Sequence, residues 1–218
     1  MQNEHARGTE LPREQPLAVW RLERKRSTNP LSRELARAAI AHYSDPGELV
    51  LVPKLRGGEL LQAAATLDRR ALPLAPNAAK AENVTPLRRS RGEAALVLAP
   101  LGARPSARRL QRVAAALLPL LKPGGFLALA RGIAASDSSG LGEIVRTCQG
   151  QGLQYWQHVI ALTPAATSGE ASGAQAASAR KRSSDDRRAV RCHHDLLVFR
   201  RSAHAEQAAA CAVEAVAA

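Results

Sequence analysis

Aromatic residues are scarce in this chain: two Trp, two Tyr and two Phe among 218 residues, or 3%. Much of the 45% hydrophobic content is alanine, so each buried position removes less apolar area than Leu or Phe would. The length still suffices to close a core, and a modestly stable fold of one domain with tails is expected. Cysteine is nearly absent. Cys148, Cys192 and Cys211 are odd in number and widely spaced, which excludes a disulfide framework and a zinc knuckle and fits a reducing cytoplasm. No apolar run approaches the roughly 20 residues that span a bilayer, and the opening MQNEHARGTELPREQP is polar without the apolar centre of an export signal. A soluble, cytoplasmic protein without a membrane partner is expected. Acid is also in short supply, with 19 Asp and Glu against 31 Lys and Arg and a net charge of +12. That excess favours polyanions such as DNA or RNA as partners, although an Arg-rich, Ala-rich surface with no dedicated partner has the same composition.

The pattern along the chain is regular. Residues 1–18 are polar and proline-punctuated and read as a flexible lead-in. VWRLERKR, from Val19 to Arg26, reads as an opening strand or a loop, with a solvated charge run favoured over both. Ser-Thr-Asn-Pro then precedes LSRELARAAIAHY, where Leu31, Leu35, Ala38, Ala39 and Ile40 recur at near-helical spacing. Asp45-Pro46-Gly47 turns into ELVLV, a short apolar run suited to a buried parallel strand. Gly57 and Gly58 close the loop before the helix ELLQAAATLD. ALPLAP follows as a strand whose prolines limit how centrally it can pair. A strand at EAALVLAP, a helix through ARRLQRVAAALLPLL, a Lys122-Pro-Gly-Gly turn into FLALA, the helix LGEIVRTCQGQG and the strand LQYWQHVIALT complete an alternation. Such alternation predicts an α/β fold, a mainly parallel sheet with helices on both faces. Residues 164–191 lack an apolar period and read as a long disordered insertion. CHHDLLVFRR restores a strand, and residues 202–218 form an Ala-rich tail. The domain proper is thus expected over 19–201.

Three stretches carry a family resemblance. Tyr43-SDPGELVLVPKLRGGELL resembles the Y-S-x-P-G-D-L-V-L-D-P-F-x-G-S-G-T-T stretch of the DNA methylase and TRM-type S-adenosylmethionine-dependent methyltransferases. Tyr43, Pro46, Gly47, Leu49, Val50, Leu51, Pro53, Gly58 and the later pair Arg69-Arg70 fall in register. Leu121-Lys-Pro-Gly-Gly125-Phe126 is similar to the L-x-P-G-G turn of class I methyltransferases. The run His193 to Arg200 resembles the H-E-x-x-L-V-F-R ending of the DNA methylases. Together these imply a Rossmann-like class I methyltransferase fold, methyl transfer to a base amino group in DNA or RNA, and S-adenosylmethionine as cofactor.

Position by position, the chemistry that the resemblance implies is depleted. Val52 replaces the acid of the first loop and Arg56 its first glycine, while Lys54 and Glu59 stand for an aromatic and a threonine. Ala75 sits where the family ends its second strand with a ribose-binding acid, a role needing paired anionic oxygens. The catalytic D/N/S-P-P-Y/F/W tetrapeptide is matched by Ala99-Pro100-Leu101-Gly102, which keeps only Pro100. The stretch from Asn77 to Glu93 is too short for the usual helix and strand along the adenine, so an incomplete cofactor wall is expected. Asp45, Glu48 and Glu59 are the nearest acids, and none has a spacing that restores the site. The remnants are Pro100 at the catalytic motif and Pro53, Gly57 and Gly58 at the cofactor loop.

Two readings follow. One is a methyltransferase-like protein with its catalytic motifs lost and its S-adenosylmethionine binding in doubt. The other is a non-catalytic pseudoenzyme that binds nucleic acid or a partner protein, with Arg180-Lys181-Arg182 and Arg187-Arg188 as its basic features. No metal is expected. In Cys192-His193-His194-Asp195, successive strand residues point to opposite faces and cannot converge on one ion. Tyr155-Trp156 could stack on bases, but core packing is the expectation.

Overall fold

Leu35, Ala36, Ala39, Ile40 and Tyr43 form the buried face of α1 (Arg33–Tyr43). Ser32 caps the helix, its hydroxyl accepting from the Leu35 N–H at 3.2 Å and satisfying one of the amides that a helix start leaves open. The computed structural model describes residues 17–23, 31–54, 58–75, 90–101, 105–131, 140–162 and 193–202. After α1 come β2 (Leu49–Pro53), α2 (Glu59–Ala65), β3 (Arg70–Leu74), β4 (Ala94–Leu101) and α3 (Ala107–Leu117), with β1 (Leu17–Arg21) preceding them all. A 3-10 turn at Leu118–Leu120 leads to β5 (Leu121–Arg131), α4 (Leu141–Gln149), β6 (Leu153–Leu162) and β7 (His193–Arg201).

The seven strands form one sheet in the order β1-β6-β7-β5-β4-β2-β3. Only β7 runs antiparallel, between β5 and β6, so the sheet is mainly parallel as its apolar runs implied. Both faces are buried. Leu51, Val97, Leu127, Leu129, Leu197 and Phe199 pack with Leu110 and Leu117 of α3 and Ile144 of α4. Their strand neighbours Val50, Val52, Leu96, Leu98, Ala128 and Val198 pack on the opposite face with Leu35 and Ile40 of α1 and Leu60 of α2. This odd-even division is the two-residue period of a strand covered on both sides.

Three elements differ from the sequence reading or refine it. The charge run VWRLERKR supplies part of β1, which pairs in parallel with β6 from Leu17–His158 to Arg21–Leu162. Pairing to a strand some 140 residues away leaves no local signal, and only Trp20 and Ala18 turn inward. β3 is an edge strand among the described residues, which accommodates Pro73, a residue without an amide donor. The Lys-Pro-Gly-Gly turn is not outside the strand but within β5. Two steps along β4, Ala94 to Leu96, are matched by five along β5, Leu121 to Phe126. Gly124 takes the left-handed φ of 76°, and a Cβ on Gly125 would lie 2.7 Å from the Ala94 carbonyl oxygen and 2.9 Å from that of Lys122. The two glycines therefore have different reasons: backbone conformation for the first, close approach for the second.

Candidate functional site

In an open parallel sheet, ligands bind outside the carboxyl ends of the strands where the strand order reverses. Here that point is β2, flanked by β3 on one side and β4 on the other. Pro53 and Pro100 stand at the carboxyl ends of these adjacent strands, since Leu51 lies opposite Val97 in register. Pro53 is buried and pairs with Leu74, and the Lys54 N–H donates to the Leu74 carbonyl at 2.8 Å. Gly58 opens α2 with φ of 66° and open space where a Cβ would stand. Pro53, Gly58 and Pro100 are thus placed around one end of the sheet. Gly57, Arg56 and Gly102 lie outside the described residues, as do the insertion at 164–191, the lead-in up to residue 16 and the tail from 203.

The groups that would do chemistry there are apolar. Val52 is fully buried in the cluster with Leu60, Ala64 and Leu98. Ala75 follows the end of β3, half-buried, and Ala99 is buried near the end of β4. Pro100 is exposed beside them. A nucleoside ribose needs hydroxyl acceptors and a methionine ammonium needs acidic or carbonyl oxygens. At Val52, Ala75 and Ala99 the side chains offer neither, so these three side chains do not fit the S-adenosylmethionine cofactor. Gly58 preserves one part of a cradle, the open approach to the backbone.

Further along the same end stands a charged group that the sequence did not single out. The His158 ring Nε2 lies 3.0 Å from the Asp195 carboxylate, both side chains being about one-fifth exposed at 20% and 21%. Buried Arg131 is the β5 register partner of Asp195. The three residues are drawn from β6, β7 and β5, and their proximity depends on the antiparallel insertion of β7. Asp195 was considered only within Cys192-His193-His194-Asp195. His194 is buried on the sheet, and Asp195 turns to His158. Among the described residues no group of three His, Cys, Asp or Glu could hold a metal ion.

At the opposite, amino end of the strands the resembling motifs are dense with contacts. The Arg69 guanidinium donates to the Ser44 carbonyl at 2.5 Å, to the Ser44 hydroxyl at 3.4 Å and to the Leu67 carbonyl. Ser44 in turn donates to the Ile40 carbonyl at 2.6 Å. The Tyr43 hydroxyl reaches past that end to mid-strand in β6, donating to Gln157 at 2.5 Å, and burial pushes its pKa well above the usual tyrosine value. Arg200 donates to the Gly124 carbonyl at 3.3 Å and lies 5.2 Å from the Trp156 ring centre and 5.9 Å from that of Phe126. Glu48 pairs with Lys122. Burial would raise the Glu48 carboxyl, but the Asp45 N–H and Lys122 ammonium prevail and hold it below its ordinary value.

The aromatic pair divides across the sheet. Tyr155 packs against Phe199 at 5.7 Å and Trp156 against Phe126 at 5.9 Å. Both serve packing in this arrangement rather than a shared stacking surface. Burial pushes the Cys148 thiol up to about 12, so it stays protonated and acts as an apolar core residue. No helix among the described residues is long and apolar enough to cross a membrane.

No family model and no curated protein matches the chain. Among solved structures it is similar to 1,6-didemethyltoxoflavin-N1-methyltransferase of Burkholderia thailandensis with bound 1,6-didemethyltoxoflavin and S-adenosylhomocysteine. Identity is 13%, coverage 78% of each chain and the TM-score 0.50. It is also similar to a SAM-dependent methyltransferase of Methanosarcina mazei, with 10% identity, 75% and 96% coverage and a TM-score of 0.43. A geranyl diphosphate methyltransferase in complex with SAM matches at 14% identity, 78% and 86% coverage and a TM-score of 0.44. The likeness to the Burkholderia enzyme, together with the seven-stranded mixed α/β sheet, shows a Rossmann-like methyltransferase fold. Identity this low carries the fold and no substrate.

Proposed function

We propose that this chain is a methyltransferase-like protein that has kept the class I fold and lost the transfer reaction, and that it works as a non-catalytic module binding DNA or RNA. The observation that supports the first half is the apolar character of three positions at the carboxyl ends of β2, β3 and β4. Val52, Ala75 and Ala99 occupy positions where the resembling DNA methylase family places an acid, a second acid and the polar catalytic side chain. Hydrogen bonding to the cofactor and to a target amino group has no side chain to work through at these three places. Fold without a site does not sustain the activity.

The second half is supported by charge. A net +12 on a chain of this size favours phosphate contacts, and each contact makes binding fall with salt. Two measurements test the whole reading on the full chain: methyl incorporation from radiolabelled S-adenosylmethionine into DNA and RNA, and retention of the same nucleic acids at rising salt. The expected result is no incorporation with salt-dependent retention. Enzymatic incorporation above a protein-free control would overturn the loss of catalysis, and absence of retention at low salt would overturn the binding role.

A further inference from the structure

We infer that the outer face of α3, formed by Arg108, Arg109 and Arg112, is the surface on which this protein holds a nucleic-acid phosphate backbone. The inference rests on the nucleic-acid-binding reading above and adds the place. Leu110, Ala114 and Leu117 are buried beneath α3, which fixes its orientation and turns Arg108, Arg109, Gln111 and Arg112 to solvent. Ser106 starts the helix, accepting from the Arg109 N–H at 3.4 Å. Arg112 donates to the Arg108 carbonyl at 3.4 Å, and no carboxylate among the described residues pairs with any of the three.

Local helix energetics run against this arrangement. Positive charge near a helix start opposes the helix dipole, and Arg108 and Arg112 are like charges four residues apart, which destabilises a helix further. The other helices follow the ordinary rule, with Glu34, Glu59 and Glu143 in the first turns of α1, α2 and α4. α3 has no acid there. The bias extends beyond the helix: from residue 94 to residue 142 stand Arg104, Arg108, Arg109, Arg112, Lys122 and Arg131 against the single acid Asp137. α3 follows directly from the carboxyl end of β4, so these arginines rise beside the part of the sheet from which the acids have gone. Exposed arginines without neighbouring acid raise the local positive potential. A polyanion spaced along a chain is the ligand such a potential suits, because several phosphates can be met at once and their counterions released.

The test is fluorescence anisotropy of a labelled 20-nucleotide single strand and a 20-base-pair duplex against the full chain over a range of salt. The combined Arg108→Gln, Arg109→Gln and Arg112→Gln variant should bind about 10- to 100-fold more weakly and lose about 2 to 3 from the log–log salt slope. Its melting temperature should stay level or rise, since like-charge repulsion in α3 is relieved. The variant with Lys at the same three positions should keep its salt slope within about 1 of the parent. An Arg180→Gln, Lys181→Gln, Arg182→Gln variant should change the slope less than the α3 variant does. If the parent protein binds and the α3 glutamine variant binds with an unchanged slope, this inference is overturned while the binding role stands. If the parent binds neither probe, the binding role itself falls. Polyglutamate displacing the oligonucleotide at equal charge concentration would assign the face to an acidic protein and overturn the nucleic-acid assignment.

Discussion

The two ends of the sheet have fared differently. At the amino ends, side chains are tied across elements distant in sequence: Arg69 to Ser44, Lys122 to Glu48, and Arg200 to Gly124 and Trp156. At the carboxyl ends of β2, β3 and β4 the described residues are Val52, Pro53, Lys54, Leu74, Ala75, Ala99, Pro100 and Leu101, of which only Lys54 is charged. Tyr43, Gly47, Arg69, Gly124, Gly125 and Arg200, all within the family-like stretches, lie at the first end, and their removal would cost the fold. The positions that differ from the family pattern, Val52, Ala75 and Ala99, lie at the second. On the proposed reading, the fold and the reaction depend on opposite ends of the same strands, so the one can persist without the other.

The largest expected effect comes from placing an acid at Val52, where the resembling family has one. Val52→Asp places an unpaired carboxylate in a fully buried apolar cluster and should destabilise the protein by about 4 kcal/mol, enough to abolish cooperative unfolding in urea. Ala75→Asp, half-buried at a strand end, should stay within about 0.5 kcal/mol of the parent. Equal losses for the two would break the view that Val52 now belongs to the core. At the amino end, Gly125→Ala should cost about 3 kcal/mol by denaturant titration, because the new methyl meets two carbonyl oxygens that belong to the backbone. Arg69→Ala should cost about 2 kcal/mol, leaving the Ser44 carbonyl without its charged donor.

The smallest effect is a pH dependence. The folded carboxyl of Glu48 is held below its ordinary value of 4.5, so its contribution is complete above that value and is lost as pH falls through the lower folded value. The pair is partly exposed, with 41% and 24% of the two side chains accessible, which limits the gain to about 0.5 kcal/mol. Glu48→Gln should flatten the stability curve below about pH 4.5 by that amount and leave a small uniform loss above it. A curve that remains parallel to the parent's across this range would remove Glu48 from the amino-end ties.

Much of the scaffold was legible because its signals are local. Leu35, Ala39 and Ile40 recur with a helical period, LVLV in β2 is a short continuous apolar run, and Pro73 announces an edge. What was not legible depends on partners far away in sequence. β1 exists through its pairing with β6, and a run of Arg and Lys beyond Arg21 disguised it. The Gly124-Gly125 segment became part of β5 because the Ala94 carbonyl presses close to it. The expected depletion of the site rests on single positions, Val52, Ala75 and Ala99, which lie at or next to the carboxyl ends of β2, β3 and β4. His158 and Asp195 meet through the β6–β7 register and had no spacing signal. The α3 arginines did have one, three basic residues in a helix without an acid, visible once the helix was placed.

The most direct measurement of the difference between the two ends is a calorimetric titration of the full chain with S-adenosylmethionine, with S-adenosylhomocysteine as the control. Val52 and Ala75 in place of the family's acids predict no saturable heat for either ligand, and saturable micromolar binding of S-adenosylmethionine would contradict that reading.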